Sequence, residues 1–143
     1  MKVSFDTITV ADYLHFRREA GWDAPSEARA KLALTHSLLV ATICDNGEPI
    51  AMARVIGDGA MNLYIQDVIT AREHRGRGHA TALLTAVIAR LQRDYDPAVT
   101  IGLMAAVGQE RLYAKFGFIA RPNARFGAGM IAALGELSSA EAR

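Results

Sequence analysis

The chain is poor in most of the features that mark a specialised class. Its 143 residues include one cysteine, Cys44, so no intramolecular disulfide and no thiolate metal cluster can form, and a reducing compartment fits. Charge bias is absent too: 16 basic and 15 acidic side chains leave a formal net charge of +1, giving no general attraction to nucleic acid or to an anionic membrane. No apolar run approaches the ~20 residues of a membrane span. The opening "MKVSFDTITVADYLHF" is broken by Asp6, Asp12 and His15, so it lacks the apolar region of a signal peptide. His15, His36, His74 and His79 show no ligand spacing and no His-Glu-x-x-His, so no metal is expected. No repeat, low-complexity tract or linker divides the chain. These exclusions leave one soluble domain spanning 1–143, expected to be cytoplasmic. With 51% apolar and 22% charged residues it is globular in composition, and long enough to bury roughly 70% of its unfolded surface in one core.

Periodicity supplies the elements. "KVSFDTITV" alternates and suggests an opening strand, and "ADYLHFRREAGW" suggests a short helix ending near Gly21. "SEARAKLALTHS" reads as a second helix with Ala28, Leu32 and Thr35 at helical spacing. "SLLVATICD" and "EPIAMARVI" flank Asn46-Gly47, a strong hairpin signal. Gly57-Asp58-Gly59 then turns the chain into a further strand from about Met61 to Thr70. Ala80, Leu83, Leu84, Val87, Ile88 and Leu91 form one helical stripe ending near Arg93. "AVTIGLMA" is a strand, "GQERLYAKFG" a short helix stopped by Gly117, and "FIARP" a strand edge. The fold class is α/β (α+β): one mixed, largely antiparallel sheet with helices on both faces.

Between the strand ending at Thr70 and the long helix lies "REHRGRGHATALL", where arginines and histidines surround two glycines. A helix N-terminus offers unpaired N–H groups and partial positive charge, and glycine lets phosphate oxygens reach them. Arg75 and Arg77 add charge-assisted donors suited to phosphate. A P-loop pattern is absent, and a dinucleotide fingerprint would need glycine where Thr81 stands. "RGRGHA", Arg75 to Ala80, fits Arg/Gln-x-x-Gly-x-Gly/Ala at every fixed position. The physical reading is a phosphate or pyrophosphate cradle.

The segment "DVITAREHRGRGHATALL" resembles the pyrophosphate motif, with its preceding strand, of the GNAT superfamily of acyl-coenzyme A-dependent N-acyltransferases. "RLYAKFGF", Arg111 to Phe118, resembles that family's Phe-Tyr-x-Lys-x-Gly-Phe. The resemblance covers roughly residues 38 to 122. One departure is Ala106, which stands where many members carry an asparagine that helps hold the pantetheine arm. That contact is not carried over, whereas the cofactor assignment is. The resemblance implies acetyl-coenzyme A as cosubstrate, its pantetheine arm paired with backbone groups of Val68, Ile69 and Thr70. The Val68 N–H would polarise the thioester carbonyl. Pyrophosphate would rest on Arg75, Gly76, Arg77, Gly78, His79, Ala80 and Thr81. The reaction implied is N-acetylation of a primary amine on a small molecule or peptide in a ternary complex. A homodimer is also implied.

An alkyl amine with a pKa near ~10.4 must lose a proton, and the departing thiolate benefits from an acid. Tyr113 matches the family's proton-donating tyrosine; the plainer reading is a core tyrosine packed on Phe116 and Phe118. Asp67, on the strand with Ile65 and Ile69, is either a base with a pKa raised by aliphatic neighbours or a structural acceptor for backbone or arginine donors. Ordered water is the third route for the proton. His74 and His79 either line the anion site or face solvent, Cys44 reads as a small core residue, and Trp22 as a packed hinge where the family often builds its acceptor site. "RPNARFGAGM" either walls that site or turns the chain, and "GELSSAEAR" is an exposed end. The rival functions are a non-catalytic acyl-coenzyme A sensor, which Ala106 and the undecided base leave open, and a nucleic-acid binder, which the near-zero net charge opposes.

Overall fold

The computed structural model describes residues 1–6 and 8–139. The chain divides into two compact units, Met1–Leu103 and Met104–Arg143. The first holds a five-stranded sheet in the order β1-β2-β3-β4-β5, with β1 Val3–Ser4, β2 Leu39–Asp45, β3 Glu48–Gly57, β4 Asn62–Thr70 and β5 Thr100–Leu103. Neighbouring strands are antiparallel except β4 and β5, which run parallel. The expected hairpin forms at Asn46-Gly47, both at positive φ (49° and 81°), the backbone that a tight two-residue turn between twisted strands requires. The opening strand is far shorter than its alternation suggests. Among its described residues only Val3 and Ser4 pair with β2, and Thr9 caps a helix by accepting from the Asp12 amide, which ends the extended chain. Thr7, within the expected strand, lies outside the described residues.

Two helices follow: α1, Val10–Glu19, and α2, Glu27–Thr35, the latter capped by Ser26, which accepts from the Arg29 amide. The face expected for α2 is corrected. Leu32 is 59% exposed, and Ala30 and Leu34 are the buried pair. Apolar residues occur all round this helix, so periodicity fits two faces; packing selects the one on which Ala30 lets α2 approach the core closely. Tyr13, Leu14 and Phe16 of α1 join Ala30, Leu34, Val40, Met52 and Ile69 in one cluster. Since Val40 and Met52 face that cluster, alternation turns Ala41, Ala51 and Ala53 to the other face of the sheet. There α3, His79–Asp94, packs, burying Leu83, Leu84, Val87 and Leu91 as its stripe requires. Full burial of each such side chain is worth about 1.5–3 kcal/mol.

Cys44 is exposed, contrary to the core position expected of it. The register of β2 shifts between Ile43 and Cys44, and the buried run stops at Ile43. In the second unit, α4 spans Glu110–Ala114, and Gly117 (φ 96°) ends that turn. The strand expected at "FIARP" does not form. Pro122 has no N–H for a ladder, and the Asn123 side chain accepts from the amides of Arg125 and Phe126, drawing the chain into a turn. Of the "GELSSAEAR" end, residues 135–139 are exposed and the rest lies outside the described residues. Among the described residues no helix is long and apolar enough to cross a membrane.

Candidate active site

β5 accompanies β4 for only part of its length. Pairing runs from Asn62 with Thr100 to Ile65 with Leu103, and among the described residues no strand pairs with the remainder of β4 on that side. What that open edge presents follows from backbone alternation. The Thr100 amide donates to the Met61 carbonyl, so Met61 faces β5, and every second residue after it should do likewise. Unbroken, that phase would turn Asp67, Ile69 and Ala71 outward and Val68 toward β3. The Ala71 amide, however, donates to the Ile50 carbonyl on β3. The phase has inverted between these points, and the register shows where: Gln66 pairs with Arg54 and Ile69 with Met52, leaving Asp67 and Val68 opposite the single residue Ala53. Asp67 carries the kink at φ 52°. Val68 and Thr70 therefore direct their N–H and C=O groups to the open edge. Ile69, expected to do the same, directs its groups to β3.

Beyond Thr70 a short turn, Arg72–His74, leads into the glycine segment, and the Arg75 Nε donates to the Thr70 carbonyl at 3.0 Å. Gly76 (φ 74°) and Gly78 (φ 84°) bend the chain into α3 through left-handed backbone that side-chain-bearing residues avoid. Side chains cap the N-termini of α1 and α2, whereas Gly78 leaves α3 without a side-chain cap. The first intrahelical bond runs from the Ala82 amide to the Gly78 carbonyl, so the amides of His79, Ala80 and Thr81 precede it. Arg75 and Arg77 are exposed beside them. Uncapped amides, bare glycines and two guanidinium groups fit a pyrophosphate. Of the two placements expected of His79, solvent exposure is corrected. Its side chain is buried at 8% exposure with Nδ1 lacking a hydrogen-bond partner, and its ring meets that of His74 edge-on at 6.1 Å.

Asp67 is only 2% exposed and fully engaged. Its Oδ2 accepts from the Tyr13 hydroxyl at 2.5 Å and from Arg54 Nε at 2.9 Å, and its Oδ1 accepts from Arg17 Nη1 at 2.8 Å. Of the two roles open to it from sequence, this geometry matches the structural acceptor of arginine hydrogen bonds. Burial first, then the hydrogen bond to Asp67, pushes the Tyr13 phenol above its ordinary 10.0. Tyr13, Arg17 and Arg54 were not singled out by sequence reasoning. The available signal was Arg54, a charge inside the apolar run "IAMARVI". Trp22 is 37% exposed instead of packed, with the Arg17 guanidinium 5.6 Å from its ring centroid. An open cleft of about 1000 Å³ bordered by Asp12, Glu19, Asp45, Glu48 and Glu73 includes neither Asp67 nor Val68.

In the second unit, Tyr113 on α4 is 9% exposed and packs edge-on against Phe118 at 6.2 Å. The packing expected of a core tyrosine is thus present on the Phe118 side. Burial raises the phenol above its ordinary 10.0, so it stays a proton-bearing donor at any neutral pH.

The Acetyltransferase (GNAT) family model matches residues 6–118. Serotonin N-acetyltransferase 2 (chloroplastic) of Oryza sativa subsp. japonica is 30% identical over 108 residues, 73% of this chain and 53% of that protein. The chain thus spans about half the length of the curated relative it matches. A Staphylococcus aureus protein of unknown function, classed with the acetyltransferases, superposes with a TM-score of 0.82 at 27% identity, covering 92% of this chain and 98% of its own. A GNAT-family acetyltransferase of Streptococcus pneumoniae does so with a TM-score of 0.76 at 22% identity over 94% and 98% of the two chains, a likeness of fold alone.

Proposed function

The chain belongs to the acetyltransferase (GNAT) family, and on that premise we propose that it is an N-acetyltransferase carrying an acetyl group from acetyl-coenzyme A to a primary amine of a small molecule or peptide. The observation that carries this reading is the continuity of β4, the glycine turn and α3. One segment offers an open strand edge for an extended amide-bearing arm and, directly after it, an uncapped helix N-terminus for a pyrophosphate.

The roles divide accordingly. Arg75, Arg77 and the amides around Gly76 to Thr81 hold the pyrophosphate, and Val68 and Thr70 pair with the pantetheine arm. The Val68 N–H stabilises negative charge developing on the thioester oxygen as the amine nitrogen bonds to the carbonyl carbon. The carbon–sulfur bond then breaks, and Tyr113, assigned by its motif, gives its proton to the leaving sulfur. Asp67 has both oxygens occupied by Tyr13, Arg17 and Arg54, so in this reading the amine's proton leaves through water. A homodimer and a cytoplasmic location belong to the proposal on sequence grounds alone.

The second reading, a non-catalytic acyl-coenzyme A sensor, is favoured by one observation: both oxygens of Asp67, the carboxylate proposed as base from sequence, are held by hydrogen bonds. Calorimetric titration with acetyl-coenzyme A, followed by thiol-release assays over an amine panel, separates the two. The panel would begin with serotonin, the amine in the name of the rice relative. Binding with amine-dependent thiol release supports the transferase. Binding without release from any amine supports the sensor, and no binding refutes both.

A further inference from the structure

The outward aim of Val68 depends on a phase inversion, and the inversion depends on one residue in an unfavourable backbone conformation. Asp67 sits at φ 52°, where side-chain-bearing residues seldom stay unless their surroundings hold them. Here the surroundings do so from two elements. Tyr13 and Arg17, one helical turn apart on α1, and Arg54, on β3 next to the bulge, all bond to the same carboxylate, whose side chain has no exposed surface. Two of the three anchors are themselves anchored: Arg54 Nη1 donates to Ser37 Oγ at 3.3 Å, and Arg17 Nε donates to the Asp23 carbonyl at 2.9 Å.

We propose that Tyr13, Arg17 and Arg54, acting through Asp67, are positioning residues that lock the β4 bulge and so aim the Val68 N–H at the open edge. Without the lock, the simplest relaxation returns Asp67 to extended backbone. The alternation set at Met61 would then continue unbroken, turning the Val68 N–H toward β3 and leaving Asp67 and Ile69 on the edge. The anion cradle lies beyond Thr70 and keeps its hold on the pyrophosphate, whereas the Val68 and Thr70 pairings with the pantetheine arm are lost together with the oxyanion donor. The chemical consequence rests on the acetyl-transfer reading above; the backbone consequence does not.

The test uses the full chain with Tyr13→Phe and Arg17→Gln, each of which removes one bond to Asp67, and Asp67→Asn, because asparagine tolerates the same backbone. Two readouts are taken. One is the Val68 amide resonance in isotopically labelled protein on adding a non-reactive thioether analogue of acetyl-coenzyme A. The other is kcat, KM and the pH–rate profile. We expect every folded variant to bind the analogue through the cradle, weakened by up to about ten-fold, while losing its Val68 shift. The kcat should fall about 10- to 100-fold, somewhat less than deletion of a whole oxyanion donor, with KM for acetyl-coenzyme A rising by no more than about ten-fold and both limbs of the pH profile in place. Arg17→Lys should recover part of the loss. Folded Tyr13→Phe and Arg17→Gln proteins with the wild-type Val68 shift and kcat would overturn the lock. So would loss of the acidic limb in Asp67→Asn with both other variants unaffected, because Asp67 would then be the base. If wild type acetylates no amine, the transferase reading fails while the Val68 resonance still decides the lock.

Discussion

Gly78 can be perturbed so that backbone strain and cofactor binding are read apart. It stands at φ 84°, and a Cβ added there would meet only Met1 Cε at 3.9 Å. Gly78→Ala therefore adds no serious clash, only the left-handed penalty, about 1–2 kcal/mol. An unfolding entropy of about 2.1 cal/mol/K per residue gives a chain of 143 residues about 0.3 kcal/mol/K, so Tm should drop by about 3–7 °C. Gly47 supplies the control, with φ 81° and nothing within 4 Å of its Cβ. Gly47→Ala should lower Tm equally and leave acetyl-coenzyme A binding untouched. Gly78→Glu adds a carboxylate at the proposed cradle. Unit charges about 4 Å apart repel by about 4 kcal/mol at an effective dielectric of 20, and screening still leaves at least about a hundredfold loss of affinity. Calorimetric titration and thermal melts of wild type and the three variants give every number needed. A folded Gly78→Glu protein that binds acetyl-coenzyme A within about three-fold of wild type would refute the cradle.

Three further outcomes are expected. Tyr113→Phe should lower turnover by about a hundredfold with acetyl-coenzyme A affinity unchanged by calorimetry. Because burial raises this phenol above its ordinary 10.0, any loss of activity from its ionisation should begin at higher pH than for a free phenol. Asp58 accepts from the amides of Asn62, Ala60 and Met61, which lower its carboxyl from 3.8 to about 2. The folded pKa lies below the unfolded one, so its contribution to stability is present above 3.8 and is lost as pH falls through about 2. Asp58→Asn should flatten the fall of Tm across that window, and a titration of the Asp58 carboxyl by NMR should give a midpoint near 2. Ser26→Ala removes the α2 cap and should cost about 1 kcal/mol in urea denaturation, with kcat unaffected.

Legibility in the sequence followed the range of the interactions involved. The Asn46-Gly47 hairpin, the α3 stripe and the glycine turn into α3 are each specified within a dozen residues, and each formed where periodicity or turn chemistry put it. The burial of α2 was not readable, because residues apolar on both faces leave the choice to α1. Cys44 looked buried because composition cannot reveal a register shift at the end of a strand. The expected strand after Gly117 failed through an Asn123 side chain competing for two amides. Asp67 was visible as an acid among aliphatics, but its partners are 13, 50 and 54 residues away, so sequence left base and structural acceptor undecided. For His79 the solvent-facing alternative failed, because its ring is buried against His74, a contact that spacing alone does not reveal.

Asp67 and Gly78 solve related problems by different means. Both use left-handed backbone to turn N–H groups toward a site, one at the open strand edge and one at a helix start. Gly78 needs no support, since glycine adopts that conformation freely and any side chain would intrude on the cradle. At position 67 glycine would adopt the backbone equally well but would leave Arg54, a largely buried guanidinium, without its carboxylate. An aspartate tolerates the conformation, satisfies Arg54 and Arg17 together, and ties the bulge to α1. A glycine there would leave the inversion free to come and go, whereas the bonded aspartate makes it a fixed property of the fold. That difference explains why a charge is buried beside a site in which it need not carry a proton.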